Sequence, residues 1–261
     1  ISEMEDYYGV KLFDRISRKL YLTENGRRAL QYARHIIDLL DEMEQGVRDV
    51  DAMGRLKVGT SITIGTYLLP GYIKKLKQQY PALKVEASIA NSGTIEQQIL
   101  DNDIDVGIIE GVAHSPFILS ESFAGDRLVF IWPAGHEFAG KTLEELSEVR
   151  NQDFILREKG SAGREIFDGI LAAQELNVRP IWQSASNQVI LQGVKAGLGI
   201  SILPYFLVRQ DIREGELAEF RIKDLALNRK YSVIYHKNKF LPRSARTLME
   251  LCKEGNGADR L

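Results

Sequence analysis

An α/β fold is predicted for the greater part of this 261-residue sequence, preceded by a small basic hairpin and one long helix. Three observations lead there. From Gly54 onward, short apolar runs alternate with helical stretches, the texture of βαβ units. Ahead of them, Ala29, Ala33, Ile36, Leu40, Met43, Val47 and Val50 recur in steps of four and three, the seam of a left-handed coiled coil. Before most of that seam, Gly9 to Arg28 carries six basic residues (Lys11, Arg15, Arg18, Lys19, Arg27, Arg28) against Asp14 and Glu24, a local balance of +4.

Taken in order, Ile1, Met4, Tyr7 and Tyr8 lie at helical spacing, so the chain is expected to begin inside a helix. Two extended runs, Lys11 to Phe13 and Lys19 to Leu22, flank Asp14-Arg15-Ile16-Ser17-Arg18 and predict a hairpin with a basic tip. Thr23 is suited to cap the next helix, with Gly26, Arg27 and Arg28 in its first turn. The stretch Ala29 to Met53 carries Arg34 and Arg48 against Asp38, Asp41, Glu42, Glu44, Asp49 and Asp51, a balance of −4. That acidic surround favours pairing with a second helix over burial in a core of its own; the other reading is an amphipathic helix lying on the rest of the protein.

Strands are then expected near Leu56–Thr60, Lys84–Ala90, Asp105–Glu110, Arg127–Trp132, Asp153–Leu156, Arg179–Gln183, Gly199–Leu203, Leu217–Arg221 and Tyr231–His236. Helices are expected near Tyr67–Gln79, Thr94–Asn102, Leu143–Arg150, Gly163–Glu175, Asn187–Ala196 and Pro242–Cys252. The turns at Pro133–His136 and Asn228–Lys230 stand where the chain is expected to pass between two lobes.

Length allows one large or two medium cores without staples. Hydrophobic residues at 44% and charged residues at 27% are ordinary for a globular protein and assign no function. Cys252 is the single cysteine, which excludes an internal disulfide and a CxxC pair and points to a reducing, cytoplasmic compartment. No apolar run suits a membrane span, and no secretory signal pattern opens the chain. His35, His114, His136 and His236 show no metal-ligand spacing, and neither metal nor cofactor is expected. There is no nucleophile elbow, Walker loop, dinucleotide fingerprint or HExxH. The glycines of Ala196-Gly197-Leu198-Gly199 end a helix and enter a strand, the reverse of a nucleotide loop.

Gly9-Val10-Lys11-Leu12-Phe13-Asp14-Arg15-Ile16-Ser17-Arg18-Lys19-Leu20-Tyr21-Leu22-Thr23-Glu24-Asn25-Gly26 resembles the wing of the winged helix-turn-helix in LysR-type transcriptional regulators. The resemblance continues through Leu56-Lys57-Val58-Gly59-Thr60-Ser61, Leu69-Pro70 and Asp105-Val106-Gly107-Ile108-Ile109-Glu110. It extends to Arg157-Glu158-Lys159-Gly160-Ser161, Val194-Lys195-Ala196-Gly197-Leu198-Gly199-Ile200 and Tyr235-His236-Lys237. Within the family the sequence is similar to the branch of carbon-fixation and sulfur-metabolism regulators. The resemblance implies three parts. Residues 1–28 would be the remnant of the DNA-binding domain, whose first helices precede Ile1, and 29–53 a dimerising linker helix. Residues 54–261 would be a two-lobed effector domain of the type 2 periplasmic-binding-protein kind, with lobe I at about 54–132 and 233–261 and lobe II at about 133–232.

Arg15 and Arg18 correspond to wing arginines of the family. Two guanidinium groups on a hairpin suit phosphates or a narrow minor groove, whereas two solvated arginines are the plainer reading. Lys11, Lys19, Arg27 and Arg28 would add contacts that position without reading sequence. Four polar loops stand where a strand ends and a helix begins: Ser61-Ile62-Thr63, Ser92-Gly93-Thr94, Gly160-Ser161-Ala162-Gly163 and Ser184-Ala185-Ser186-Asn187. Helix starts favour anions. The expected effector residues are therefore Ser61, Thr63, Ser92, Thr94, Ser161 and Asn187, with Arg157 and Arg164 as candidate charges; in the family, Ser or Thr at positions 61, 63, 94 and 161 lines the cleft. Each is otherwise a helix cap worth about 1 kcal/mol.

The expectation is a regulator and not an enzyme. Its partners would be double-stranded promoter DNA, a second copy through the linker helix within a dimer or tetramer, and a small anionic metabolite. The alternative is a solute-binding protein of the same two-lobed fold, which leaves the hairpin and the heptad helix unexplained.

Overall fold

The computed structural model describes residues 1–16, 19–48 and 54–254. The chain opens with helix α1 (Ser2–Tyr8), closed by Gly9 in the left-handed region at φ 65°. Glu5 ties this helix to the hairpin. Its Oε1 accepts the N–H groups of Leu12 and Phe13 at 2.7 and 3.1 Å, its Oε2 accepts Lys11 Nζ at 3.0 Å, and these donors hold its carboxyl down to about 2.

Strands β1 (Phe13–Ile16) and β2 (Lys19–Leu22) form that hairpin, in which Phe13 faces Leu22 and Ile16 faces Lys19. The first strand thus starts and ends later than its polar residues suggested. Arg15 belongs to β1, opposite Leu20, and not to a tip loop, because a strand of a two-stranded ribbon accepts polar residues. Arg18, and the seam position Val50, lie outside the described residues. Helix α2 (Glu24–Arg48) runs unbroken for 25 residues. Thr23 caps it, accepting from Gly26 N–H at 2.9 Å while donating to the carbonyl of Lys11 at 2.6 Å. The seam residues Ile36, Leu40 and Met43 are 58%, 51% and 57% exposed.

The α/β part begins with β3 (Arg55–Ser61), α3 (Ile62–Tyr67), α4 (Leu69–Gln79), β4 (Lys84–Ala90), α5 (Ser92–Leu100) and β5 (Val106–Glu110). Strand β3 is parallel to both β4 and β5. Continuous apolar runs such as Val106 to Ile109 are what a strand covered on both faces requires. One face carries Leu56, Tyr72 and Leu76 with Ala245, Leu248 and Met249 of α9 (Arg243–Glu254); the other carries Ile95, Ile99, Ile104 and Ile109.

Next come β6 (Ile118–Pro133), β7 (Thr142–Leu143), a 3₁₀ turn (Leu146–Val149), β8 (Phe154–Arg157), α6 (Ala162–Ala173), β9 (Pro180–Ser184), α7 (Asn187–Lys195), β10 (Ser201–Pro204), α8 (Tyr205–Arg213), β11 (Leu217–Ile222) and β12 (Asn228–His236). The sheet order is β4-β3-β5-β12-β6-β11-β7, with β10 also on β6 and β8 paired to β9. A second core gathers Leu128, Phe130, Trp132, Phe154, Phe167 and Phe220, flanked by Val129, Ile190, Val194 and Val208.

Strand β6 therefore serves both cores. Phe123 and Ala124 pack with the first, and Leu128 to Trp132 with the second. The change of core falls near Asp126, ahead of the turn at Pro133 that the sequence suggested. Its first half, with exposed Leu119 and Ser120, lacks the apolar run that marks a strand. The helix expected at Leu143–Arg150 contracts to the 3₁₀ turn, where Glu145 and Glu148 close a reciprocal capping box. Helix α8 was not expected. The helix expected at Tyr67–Gln79 is divided at Leu68, where Pro70 starts α4.

Candidate effector cleft

The parallel strands set the geometry. The carboxyl ends of β3, β4 and β5 lie side by side, with Ser61 in register with Ala90, and each feeds a loop at the same edge. The parallel pair β8 and β9 presents a second such edge, leading into α6 and α7. Open α/β sheets bind ligands at edges of this kind.

The two edges touch. Gly93 N–H donates to Gly160 O at 3.0 Å, joining the start of α5 to the loop before α6. Gly160 takes φ 86°, a conformation that favours glycine, and a side chain there would stand 3.3 Å from Asn91 Oδ1. Beside it, a Cβ on Gly111 would come within 3.0 Å of the Ala162 methyl. A cross-lobe aromatic contact adds to this, Tyr67 at the end of α3 meeting Phe206 of α8 edge-on at 4.9 Å.

Within this frame the candidate residues separate into two groups. Ser61 and Thr63 are each 2% exposed, and their hydroxyls have no hydrogen-bond partner among the described residues; the same holds for Thr60. Ser61 precedes α3 without capping it. An unpaired buried hydroxyl costs about 1 to 3 kcal/mol, so three of them at one strand end are a standing demand for a polar partner.

The other candidates have protein partners or exposure. Ser92 donates to Glu110 O at 2.9 Å. The cap of α5 is Asn91, whose Oδ1 accepts Thr94 N–H at 2.9 Å, and Thr94 itself is exposed. Ser161 caps α6 through Arg164 N–H at 3.4 Å, and Ser186 caps α7 through Val189 N–H at 3.4 Å. Asn187 Oδ1 accepts from Arg157 Nη1 at 2.8 Å. Arg157 also grips Glu158 through two bonds of 2.8 and 3.0 Å, and Arg164 reaches Asp168 at 2.7 Å and Arg157 O at 3.0 Å. Both guanidinium groups are therefore already neutralised.

Sequence reasoning missed two charged groups here. Where β5, β6 and β12 meet, Arg229 is buried between Glu110 at 2.7 Å and Asp126 at 2.5 and 2.8 Å. Burial opposes its charge, yet the fields of Glu110 and Asp126 prevail and raise its pKa. These residues lie far apart in sequence, and only the crossing of the strands unites them. His114 stands between Glu96 of α5 at 3.2 Å and Glu165 of α6 at 3.7 Å. Cys252 is buried and its thiol is pushed up to about 12, the state of a packing residue. Among the described residues no group of three or more His, Cys, Asp or Glu side chains is arranged for a metal ion, and no helix is long and apolar enough to cross a membrane.

Of the expected DNA-contacting residues, Arg15 is placed on β1 only by its backbone, and Arg18 is not described. Lys11 is engaged by Glu5, and Arg27 donates to Leu22 O at 3.2 Å.

Comparison with known proteins gives a consistent account. Residues 51–257 match the family model described as the LysR substrate binding domain. An HTH-type transcriptional regulator of Escherichia coli, YeiE, is 33% identical over 258 residues, covering 98% of this chain and 86% of its own. The HTH-type transcriptional regulator CysL of Bacillus subtilis is 28% identical, covering 90% of this chain and 79% of its own. The CcmR regulatory domain of Synechocystis, solved in complex with 2-PG, superposes with a TM-score of 0.70 at 24% identity over 78% of this chain and 98% of that one. The chain therefore belongs to the LysR family of transcriptional regulators.

Proposed function

We propose that this chain is a DNA-binding transcriptional regulator whose action on its promoter is modulated by a small anionic metabolite held between the two lobes. The observation that carries this reading is the set of buried, unpaired hydroxyls on Ser61 and Thr63, beside the Asn91–Thr94 and Gly160–Ser161 loops where the lobes meet. Ser61 and Thr63 would hold the metabolite from lobe I, together with Ser92 and Thr94, and Ser161 and Asn187 would hold it from lobe II. A ligand bridging both edges binds the closed arrangement better than an open one and so biases closure. The CcmR regulatory domain, which shares this fold, was solved in complex with 2-PG.

In this reading lobe I takes in about 54–132 and 233–261 and lobe II about 133–232. The exposed seam of α2 supports a dimer through residues 29–53, assembling further to a tetramer. The protein would act in the cytoplasm, on double-stranded DNA, without catalysis.

The test is an anisotropy titration of the full-length gene product against the duplex upstream of its own gene across a range of salt. Tight, salt-dependent binding is expected, and Arg15→Ala and Arg18→Ala should each lower the slope of log affinity against log salt by about 1 for each phosphate contact removed. Binding no stronger to that duplex than to unrelated DNA would overturn the reading.

A further inference from the structure

We infer that α2 is a two-faced helix, with one stripe for a second chain and a separate stripe that latches onto the effector domain of its own chain. Successive residues on an α-helix turn by about 100°. On that wheel Ala29, Ala33, Ile36, Leu40 and Met43 cluster along one line, whereas Arg28, Gln31, Tyr32 and His35 cluster along another, roughly 100° away. The first line is the exposed seam. The second faces lobe I, where these four residues close a small cavity of about 60 Å³ against Ile99 and Leu100 of α5, Asn102, Phe117 and His236.

Within the stripe His35 makes the direct contacts. His35 Nε2 lies 3.0 Å from Asn238 O, and its ring stands 5.6 Å from that of His236, which in turn stacks on Phe117. The receiving surface is itself braced. Lys239 Nζ bonds Asn102 Oδ1 and the Asp105 carboxylate, both at 2.8 Å, and Lys237 Nζ sits 4.5 Å over the Phe117 ring.

The position of the latch gives it a use. Helix α5 has nine residues, a rod roughly 13 Å long. Its first residues, Ser92 to Thr94, stand at the junction of the lobes, and its last, Ile99 and Leu100, line the cavity under α2. A displacement of α5 at the cleft therefore reaches the stripe on α2 without passing through the dimer seam. Only this use rests on the proposed function; the latch itself does not.

The test reads the latch without DNA or metabolite. Spin labels are attached at Arg34→Cys, on the outer side of α2, and at Asp103→Cys, beside the cavity, while the buried Cys252 stays unlabelled. Dilution with excess unlabelled chain leaves the distance within one chain. The parent should give one narrow distance. His35→Ala and His236→Ala should each broaden it, with melting temperature and mass by light scattering unchanged. Leu40→Asp should halve the mass of the assembly yet keep the narrow distance. An unchanged distribution in both histidine variants, a broad one in the parent, or loss of the narrow distance in Leu40→Asp would overturn the inference.

Discussion

The two edges of the cleft differ in how far their buried polar groups are satisfied. On lobe I, Thr60, Ser61 and Thr63 bury hydroxyls that nothing in the described protein answers. On lobe II, Ser161, Asn187, Arg157 and Arg164 are buried or half-buried and already bonded to one another, to Glu158, to Asp168 or to backbone. Under the proposed function, the difference teaches that charge is a poor guide to where a ligand would sit. The lobe II arginines have an account as internal scaffolding, whereas the lobe I hydroxyls lower stability unless something meets them. A ligand gains most where the protein is left unpaired.

The harshest way to break this comparison is at the joint between the two edges. Arg229→Met would leave Glu110 and Asp126 buried without a counter-charge, and loss of one partner from a buried ion cluster typically costs about 3 to 5 kcal/mol. Urea unfolding should show a loss of that order, with both lobes affected because β6, which carries Asp126, runs through both cores. A loss below about 1 kcal/mol would mean that the joint does not depend on this cluster.

A subtler pair of variants reads the two edges against each other. Thr63→Val removes an unpaired hydroxyl at nearly constant shape and should leave the melting temperature unchanged or raised. Ser161→Ala removes a cap and should lower stability by about 1 kcal/mol. Opposite signs in thermal melts support the contrast between the edges. A clear drop for Thr63→Val would show that its hydroxyl is already satisfied.

The smallest effect is a pH dependence at the contact of α2 with lobe I. Burial, together with His35, Lys237 and Lys239, lowers the pKa of His236. Arg28 and His35 of α2, Phe117, and the Lys239–Asp105 pair face it from around the cavity. With α2 undocked, His236 returns toward an ordinary imidazole near 6.5. The undocked state then binds more protons, so docking is favoured at neutral pH and weakens as pH falls through about 6.5. Spin-label distances should broaden on acidification from pH 7.5 to pH 5.5, roughly a change of charge on one imidazole. His236→Gln should remove the dependence, and a pH-dependent broadening that survives in this variant would place the titration elsewhere.

Much of the fold was legible because its signals are local. Val106 to Ile109 read as part of a strand from apolar content alone, and Thr23 read as a cap from its place before a periodic segment. The first half of β6 was not legible, since its wet face alternates Ser120 and Ser122 with half-buried residues and its pairing partner, β12, comes a hundred residues later. Helix α8 has nine residues directly after Pro204 and buries only Val208, so no long apolar stripe marks it. The four polar loops were visible as strand-to-helix junctions. Which of their hydroxyls cap a helix and which stand unpaired depends on backbone direction within the loop, and that is a property of the folded chain. The Arg229 cluster and the His114 bridge join residues separated by long stretches of sequence, so no spacing announces them.

The central claim is that a small anion is held jointly by the unpaired hydroxyls of lobe I and the loop of lobe II. The most direct measurement is calorimetric titration of a panel of small phosphorylated and carboxylated metabolites, beginning with 2-PG, into the parent, Thr63→Val and Ser161→Ala. Hydrogen bonds to a charged group are worth about 1.5 to 3 kcal/mol each, so a metabolite that binds the parent should bind each variant roughly tenfold or more weakly. Equal affinity in all three proteins, with Ser161→Ala merely melting earlier, would contradict the account and return both residues to purely structural roles.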